Sequence, residues 1–188
     1  MGKASPLVLA SGSPQRRAIL EQLGIRFEVQ PQEVSELGTG ADPELVVLEN
    51  ARRKARAAAE GQERMVLGVD TEVLIDGELL GKAADEAEAE SFLRRLSGRT
   101  HTVLSGLLLI DGEVERSGIA STDVTFRTLS DHDIARYLDT AEWRDRAGAY
   151  AIQGQGAALV ERIDGDYWNV VGLPVSLLLD LAPELLRS

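Results

Sequence analysis

The feature that most narrows the fold is the passage from Leu7-Val8-Leu9-Ala10 through Ser11-Gly12-Ser13 into Pro14-Gln15-Arg16-Arg17 and an apolar helical pattern. A short apolar run that breaks on small residues and resumes at once with helical spacing reads as strand 7–10, loop 11–13 and helix 14–23. Ser13 suits the N-cap, Pro14 the first helical position and Gly24 the C′ stop. The unit carries an electrostatic conflict. Arg16 and Arg17 stand in the first turn, at the positive end of the helix macrodipole, although the chain as a whole has a formal charge of -11.

The same alternation runs on along the chain. Arg26–Val29 reads as a strand. A helix is predicted from Asp42-Pro43-Glu44 to about Glu60, with Leu45, Leu48, Ala51, Ala55 and Ala59 as its buried stripe. Met65–Val69 reads as a short buried strand ending at Asp70-Thr71. Glu72–Ile75 and Glu78–Leu80 flank the hairpin signal Asp76-Gly77. Helix 85–96, closed by Gly98, is followed by strands around a second turn at Asp111-Gly112. Ser130 and Asp133 form a capping box for a helix to about Leu138. Tyr150–Ile152 and Ala158–Val160 read as strands, and Pro174 opens the last helix. Strands and helices alternate with hairpins between them, which predicts an α/β fold on a mixed sheet, and no linker divides residues 1–188.

Composition narrows the chemistry. There is no cysteine, which excludes disulfides, thiolate metal sites and cysteine nucleophiles, and fits a reducing compartment. With two histidines and an acidic balance, any metal is expected to be held by carboxylates, favouring Mg2+ or Mn2+ over zinc. Nucleic-acid binding needs a basic face that this charge does not provide. Met1–Pro6 leads straight into a strand, and no apolar run reaches membrane-spanning length, so a cytoplasmic protein is expected.

A strand, a small-residue loop and a helix N-terminus together make an anion site, to which Ser11 and Ser13 add hydroxyls and Arg16 and Arg17 add charge. The same residues read equally as an ordinary N-cap with two solvated arginines. Asp70, after a buried strand, is a candidate metal ligand or general base, or a turn former. Lys54 lies beside the buried stripe near Val47, Ala51 and Ala58, and Lys82 follows Gly81; either is a phosphate clamp or a snorkelling side chain. Gln153, in Tyr150-Ala-Ile-Gln-Gly154, is suited to a nucleobase edge, or belongs to a glycine-bulged strand. His101 and His132 fit no nucleophilic triad and are given no role.

Taken together, the order S-x-S-P-x-R-R at 11–17, Glu36, K-A at 54–55, G-x-D-T at 68–71, G-K at 81–82, L-S-G-R at 96–99, Y-A-I-Q-G at 150–154 and N-V-V-G-L-P at 169–174 resembles the Maf-like nucleoside triphosphate pyrophosphatases over essentially the whole chain. That resemblance implies a strongly twisted mixed α/β sheet with flanking helices and two lobes around a nucleotide cleft. It implies hydrolysis of a (deoxy)nucleoside triphosphate to the monophosphate and pyrophosphate, with a divalent cation. The alternative is a non-catalytic nucleotide-binding regulator of cell division. Carried onto this chain, Asp70 matches the proton acceptor and a metal ligand, with Lys54 and Lys82 as catalytic cations. Glu36 matches a second metal contact, Glu33 being the alternative. Ser11, Ser13, Arg16 and Arg17 match positions around the triphosphate.

Substrate choice within the family follows Gln15, Thr71 and Gln153. A subgroup acting on dTTP and UTP has Arg, Thr and Gln there; one acting on 7-methyl-GTP has Trp, Gln and Glu. Thr71 and Gln153 match the first, Gln15 matches neither, and Ala83 stands where the family has Pro. The implied partner is a nucleoside triphosphate, with no nucleic acid and no membrane; a homodimer is one of the oligomeric states left open.

Overall fold

The computed structural model describes residues 6–38 and 42–186. Its strands are β1 (Leu7–Leu9), β2 (Phe27–Val29), β3 (Val66–Ile75), β4 (Glu78–Leu80), β5 (Thr100–Asp111), β6 (Val114–Phe126) and β7 (Val160–Asp164). The helices are α1 (Pro14–Gln22), α2 (Pro43–Ala59), α3 (Glu86–Leu96), α4 (Asp131–Leu138), α5 (Tyr167–Val171) and α6 (Val175–Leu181). The strands form one mixed sheet in the order β2-β1-β3-β5-β6-β7, with β4 also paired to β3. No helix among the described residues is long and apolar enough to cross a membrane.

Register explains where the cleft comes from. β5 runs antiparallel along one edge of β3 from Val66 to Leu74. On the other edge, β1 pairs in parallel with Val66 and Leu67 only, and β4 takes Val73–Ile75. Past the hydrogen bond from Ala10 N to Leu67 O, residues 68–72 face no strand on that edge. The sheet is split there into two lobes. One has a core of Leu9, Ile19, Leu20, Leu67, Leu107 and Leu178, and the other a core of Val73, Leu93, Phe126, Tyr137, Trp143 and Tyr150.

α2 covers the sheet next to this gap. Glycine is required beneath it: a Cβ at Gly68 would lie 2.2 Å from the Ala51 carbonyl oxygen, and one at Gly106 would lie 2.4 Å from that of Val47. The helix therefore rides close on β3 and β5. Its buried face is Val46, Val47, Asn50, Ala51, Ala55 and Ala58, whereas Leu45, expected in the stripe, is 59% exposed. The 3-4 pattern is satisfied by either register, and contact with two glycines selects this one.

Other expectations are also corrected. Met65–Val69 and Glu72–Ile75 are one continuous strand, so Asp70 sits in mid-strand rather than at a strand end. Tyr150–Ile152 is not a strand, residues Gln155–Leu159 form a 3-10 helix, and the following strand begins at Val160. In β3, pairing with β5 carries the strand through Asp70, whereas after Tyr150 the bonds Gly154 N to Ala151 O and Ala157 N to Gly154 O turn the chain locally.

Candidate active site

The gap beside β3 opens into a cleft of about 920 Å3, lined on one side by the Ser11–Arg16 segment, at its base by Asp70–Val73 and on the other side by Gly81–Lys82 and Arg144–Ala147. At its floor Asp70 is 4% exposed. The close approach of α2 puts two side chains on its carboxylate: Lys54 Nζ lies 2.6 Å from Oδ1, and Asn50 Nδ2 donates to Oδ2 at 3.2 Å. Lys54 also lies 2.6 Å from Glu36 Oε1, so one ammonium joins the two carboxylates.

Glu36 is placed by the same asparagine. Asn50 Oδ1 accepts from the Leu37 amide at 2.7 Å, and its Nδ2 donates to the Leu37 carbonyl at 3.3 Å. The loop is thereby held against α2 with Glu36 in the cleft wall, and Glu33 is not part of that wall. Glu72, two residues beyond Asp70 on β3, also lines the cleft. Its Oε2 is buried without a partner among the described residues. Burial, with Asp70 and Glu36 nearby, pushes its carboxyl up to about 8.

Across the floor, the first loop is bound to the protein's C-terminal part. Arg16 is 9% exposed, and its guanidinium donates to Ser11 Oγ at 2.8 Å, the Gly172 carbonyl at 2.9 Å and Thr71 Oγ1 at 3.2 Å. Burial lowers its pKa, a trend opposed by Asp70, Glu36 and Glu72. Thr71 Oγ1 also pairs with Ser105 Oγ at 2.8 Å. Ser13 caps α1 through the Arg16 amide and donates from its hydroxyl to Gln15 Oε1 at 3.0 Å. The unfavourable placement of Arg16 at a helix N-terminus is thus offset within the fold by oxygen acceptors, chiefly the carbonyl that ends α5.

The cleft therefore gathers Ser11, Ser13, Gln15, Arg16, Glu36, Lys54, Asp70, Thr71 and Lys82. Two residues singled out with them stand elsewhere. Arg17 is exposed and lies beside Glu21 and Phe27 near β2, on another surface. The next residue on a helix is turned by about 100°, so adjacent arginines do not share a face. Gln153 is exposed on the turn before the 3-10 helix and is not in the cleft wall.

Sequence reading missed Asn50, Glu72, Arg144 and Arg146. Asn50 and Glu72 did leave a signal. Asparagine interrupts the apolar face of α2, and Glu72 has the same strand parity as Asp70.

The donor set fits a hard divalent cation. Asp70 and Glu36 converge on one positive charge, and a buried oxygen of Glu72 lacks a partner. Among the described residues no three His, Asp or Glu surround a single metal position. A site with two carboxylates suits Mg2+, which completes its shell with water and substrate phosphates rather than a protein cage.

A family model described as Maf-like protein matches residues 6–185. The chain belongs to the Maf-like family. A dTTP/UTP pyrophosphatase of Deinococcus radiodurans is 46% identical over 179 residues, covering 95% of this chain and 92% of that protein. One from Symbiobacterium thermophilum is 50% identical over 171 residues, covering 90% and 88%. The fold also matches a HAM1 protein from Coxiella burnetii, with a TM-score of 0.53 and 18% identity across 97% of this chain and 99% of that one. Most of the Maf-like motifs meet in the cleft beside the open edge of β3, whereas L-S-G-R at 96–99, Arg17 and Gln153 lie outside its wall.

Proposed function

We propose that this Maf-like protein hydrolyses nucleoside triphosphates between the α and β phosphates, with dTTP and UTP preferred, releasing the monophosphate and pyrophosphate. The observation that carries the reading is Asp70, buried at the cleft floor with one oxygen held by Lys54 and the other by Asn50. The relatives' activity toward dTTP and UTP, at close to half of all positions, supports the substrate choice.

The fixed carboxylate of Asp70 takes the proton from a water attacking the α-phosphorus. The new phosphorus–oxygen bond forms as the bond to the bridging oxygen breaks, and pyrophosphate leaves with that oxygen. Lys54 and Lys82 stabilise negative charge on the phosphoryl oxygens, while Arg16 holds the Ser11–Ser13 loop that receives the substrate. Asp70 and Glu36 would hold a divalent cation, which when bound neutralises phosphate charge. Thr71 and Gln15 lie in the cleft wall where a nucleotide can meet them.

The test is product analysis with purified protein, Mg2+ and a panel of nucleoside triphosphates. Pyrophosphate and monophosphate in equal amounts, fastest from dTTP and UTP, is the expected outcome. Orthophosphate as the first product, or tight nucleotide binding without turnover, would refute it and favour a phosphatase or a regulator.

A further inference from the structure

The cations of the cleft divide by side. Arg16 and Lys54 are already committed to partners: Arg16 to Ser11, Thr71 and Gly172, Lys54 to Asp70 and Glu36. The other three, Lys82, Arg144 and Arg146, all lie on the Gly81–Ala147 side, and none has an ion pair among the described residues. Arg146 is half-buried, and its Nε is buried without an acceptor. A buried guanidinium nitrogen with no acceptor, in the wall of an open cleft, is suited to an incoming anion.

The loop that bears these arginines is built to hold them still. Ala141, Asp145 and Ala149 adopt φ of 56°, 58° and 57°, in the left-handed region that costs energy for residues with a Cβ. The Gly148 amide bonds to the Leu80 carbonyl at 3.0 Å, and Lys82 and Ala147 form an antiparallel bridge. Gly148 must be glycine: with φ of +65°, a Cβ there would meet Val73 at 2.8 Å. Arg144 is stacked with its guanidinium carbon 4.4 Å from the ring centroid of Trp143, itself 2% exposed. The strained backbone and the seam to β4 hold this loop beside Lys82, and the ring orients Arg144.

We propose that Arg146, flanked by Arg144, binds the β- and γ-phosphates of the substrate, the part that departs as pyrophosphate. This rests on the function proposed above and extends it. Attack occurs beside Asp70, so the α-phosphate belongs at the cleft floor. The terminal phosphates carry most of the substrate's charge and belong where the uncommitted cations are. Guanidinium groups bridge adjacent phosphate oxygens in a way lysine cannot. Arg146 thus separates triphosphate from monophosphate: it touches the leaving part and not the part retained.

The test compares calorimetric binding of inorganic pyrophosphate and of thymidine monophosphate, with Mg2+, to the wild-type protein, Arg146→Ala, Arg146→Gln and Arg144→Ala, each checked by thermal melting. Loss of pyrophosphate affinity by about tenfold or more in Arg146→Ala and Arg146→Gln, a smaller loss in Arg144→Ala and unchanged monophosphate affinity are expected. Equal weakening of both ligands, no change in either, or no pyrophosphate binding by the wild type would overturn the inference. Should one Arg146 variant fail to fold, the other and the exposed Arg144→Ala decide. Because these are binding measurements, they stand apart from turnover: a wild-type protein that binds pyrophosphate through Arg146 yet does not release it from dTTP would refute the proposed reaction, not this assignment.

Discussion

Asn50 donates to Asp70 Oδ2 at 3.2 Å while its own side-chain oxygen receives the Leu37 amide at 2.7 Å. One amide thus couples Asp70 on β3 to the loop that carries Glu36. Asn50→Ala leaves a buried carboxylate oxygen and a main-chain amide without these partners. We expect kcat to fall by about a hundredfold, as for a reacting group displaced by about 1 Å, with a stability loss of about 1–3 kcal/mol in urea unfolding. Unchanged kcat with reduced stability would make Asn50 purely structural.

Asp70→Asn keeps the shape of the side chain and removes its capacity to accept a proton. Lys54 retains Glu36 as a partner, 2.6 Å away, so the fold is expected to survive. Turnover should drop by about 10³-fold or more, the range set by losing general-base catalysis. Pyrophosphate release near the wild-type rate, from a variant with an unaltered melting curve, would remove Asp70 from the mechanism.

The first strand–loop–helix and the capped helices were legible because their signals are local: Ser13 and Ser130 cap, Pro14 and Asp42-Pro43 start, and Asp76-Gly77 turns. Asp70 and Lys54 were candidates from their own surroundings, each with a plainer alternative, and Glu36 came only from the resemblance to a known motif order. The orientation of α2 was not, because Leu45 and Val46 are equally apolar and only the glycines of two distant strands decide between them. The continuity of β3 was hidden because Asp70-Thr71-Glu72 looks like a turn; the strand persists there through pairing with β5, while its other edge is open. Arg144 and Arg146 gave no local sign, since a strained loop carries them to Lys82.

Gly106→Ala tests whether the closeness of α2 matters to the site. The added methyl would meet backbone, 2.4 Å from the Val47 carbonyl oxygen, and the helix must lift. A stability loss of about 1–3 kcal/mol is expected from such overpacking, together with reduced kcat because Asn50 and Lys54 move with the helix. Gly118→Ala is the control: its methyl would meet the tip of the Leu177 side chain, which can turn aside. Equal effects of the two substitutions in denaturant melts and turnover would count against the argument.

His101 supplies the pH test. It is 2% exposed, its Nε2 bonds to the Tyr150 hydroxyl at 2.9 Å, and its Nδ1 has no partner among the described residues. Burial lowers its pKa from 6.5 to about 4, against a weaker opposing pull from Asp123. Below pH 6.5 the unfolded chain takes up a proton that the folded one refuses. The stability from this group is therefore fully present above pH 6.5 and is lost as pH falls toward 4. Each pKa unit is worth about 1.4 kcal/mol, so the loss across that window is about 3 kcal/mol. His101→Gln can keep a bond to Tyr150 but cannot titrate. Carboxylates contribute to both proteins alike, so the difference between their urea-unfolding free energies at pH 7 and pH 4.5 isolates the histidine. The wild type should lose more than the variant; equal losses would show that His101 does not hold its neutral form through this range.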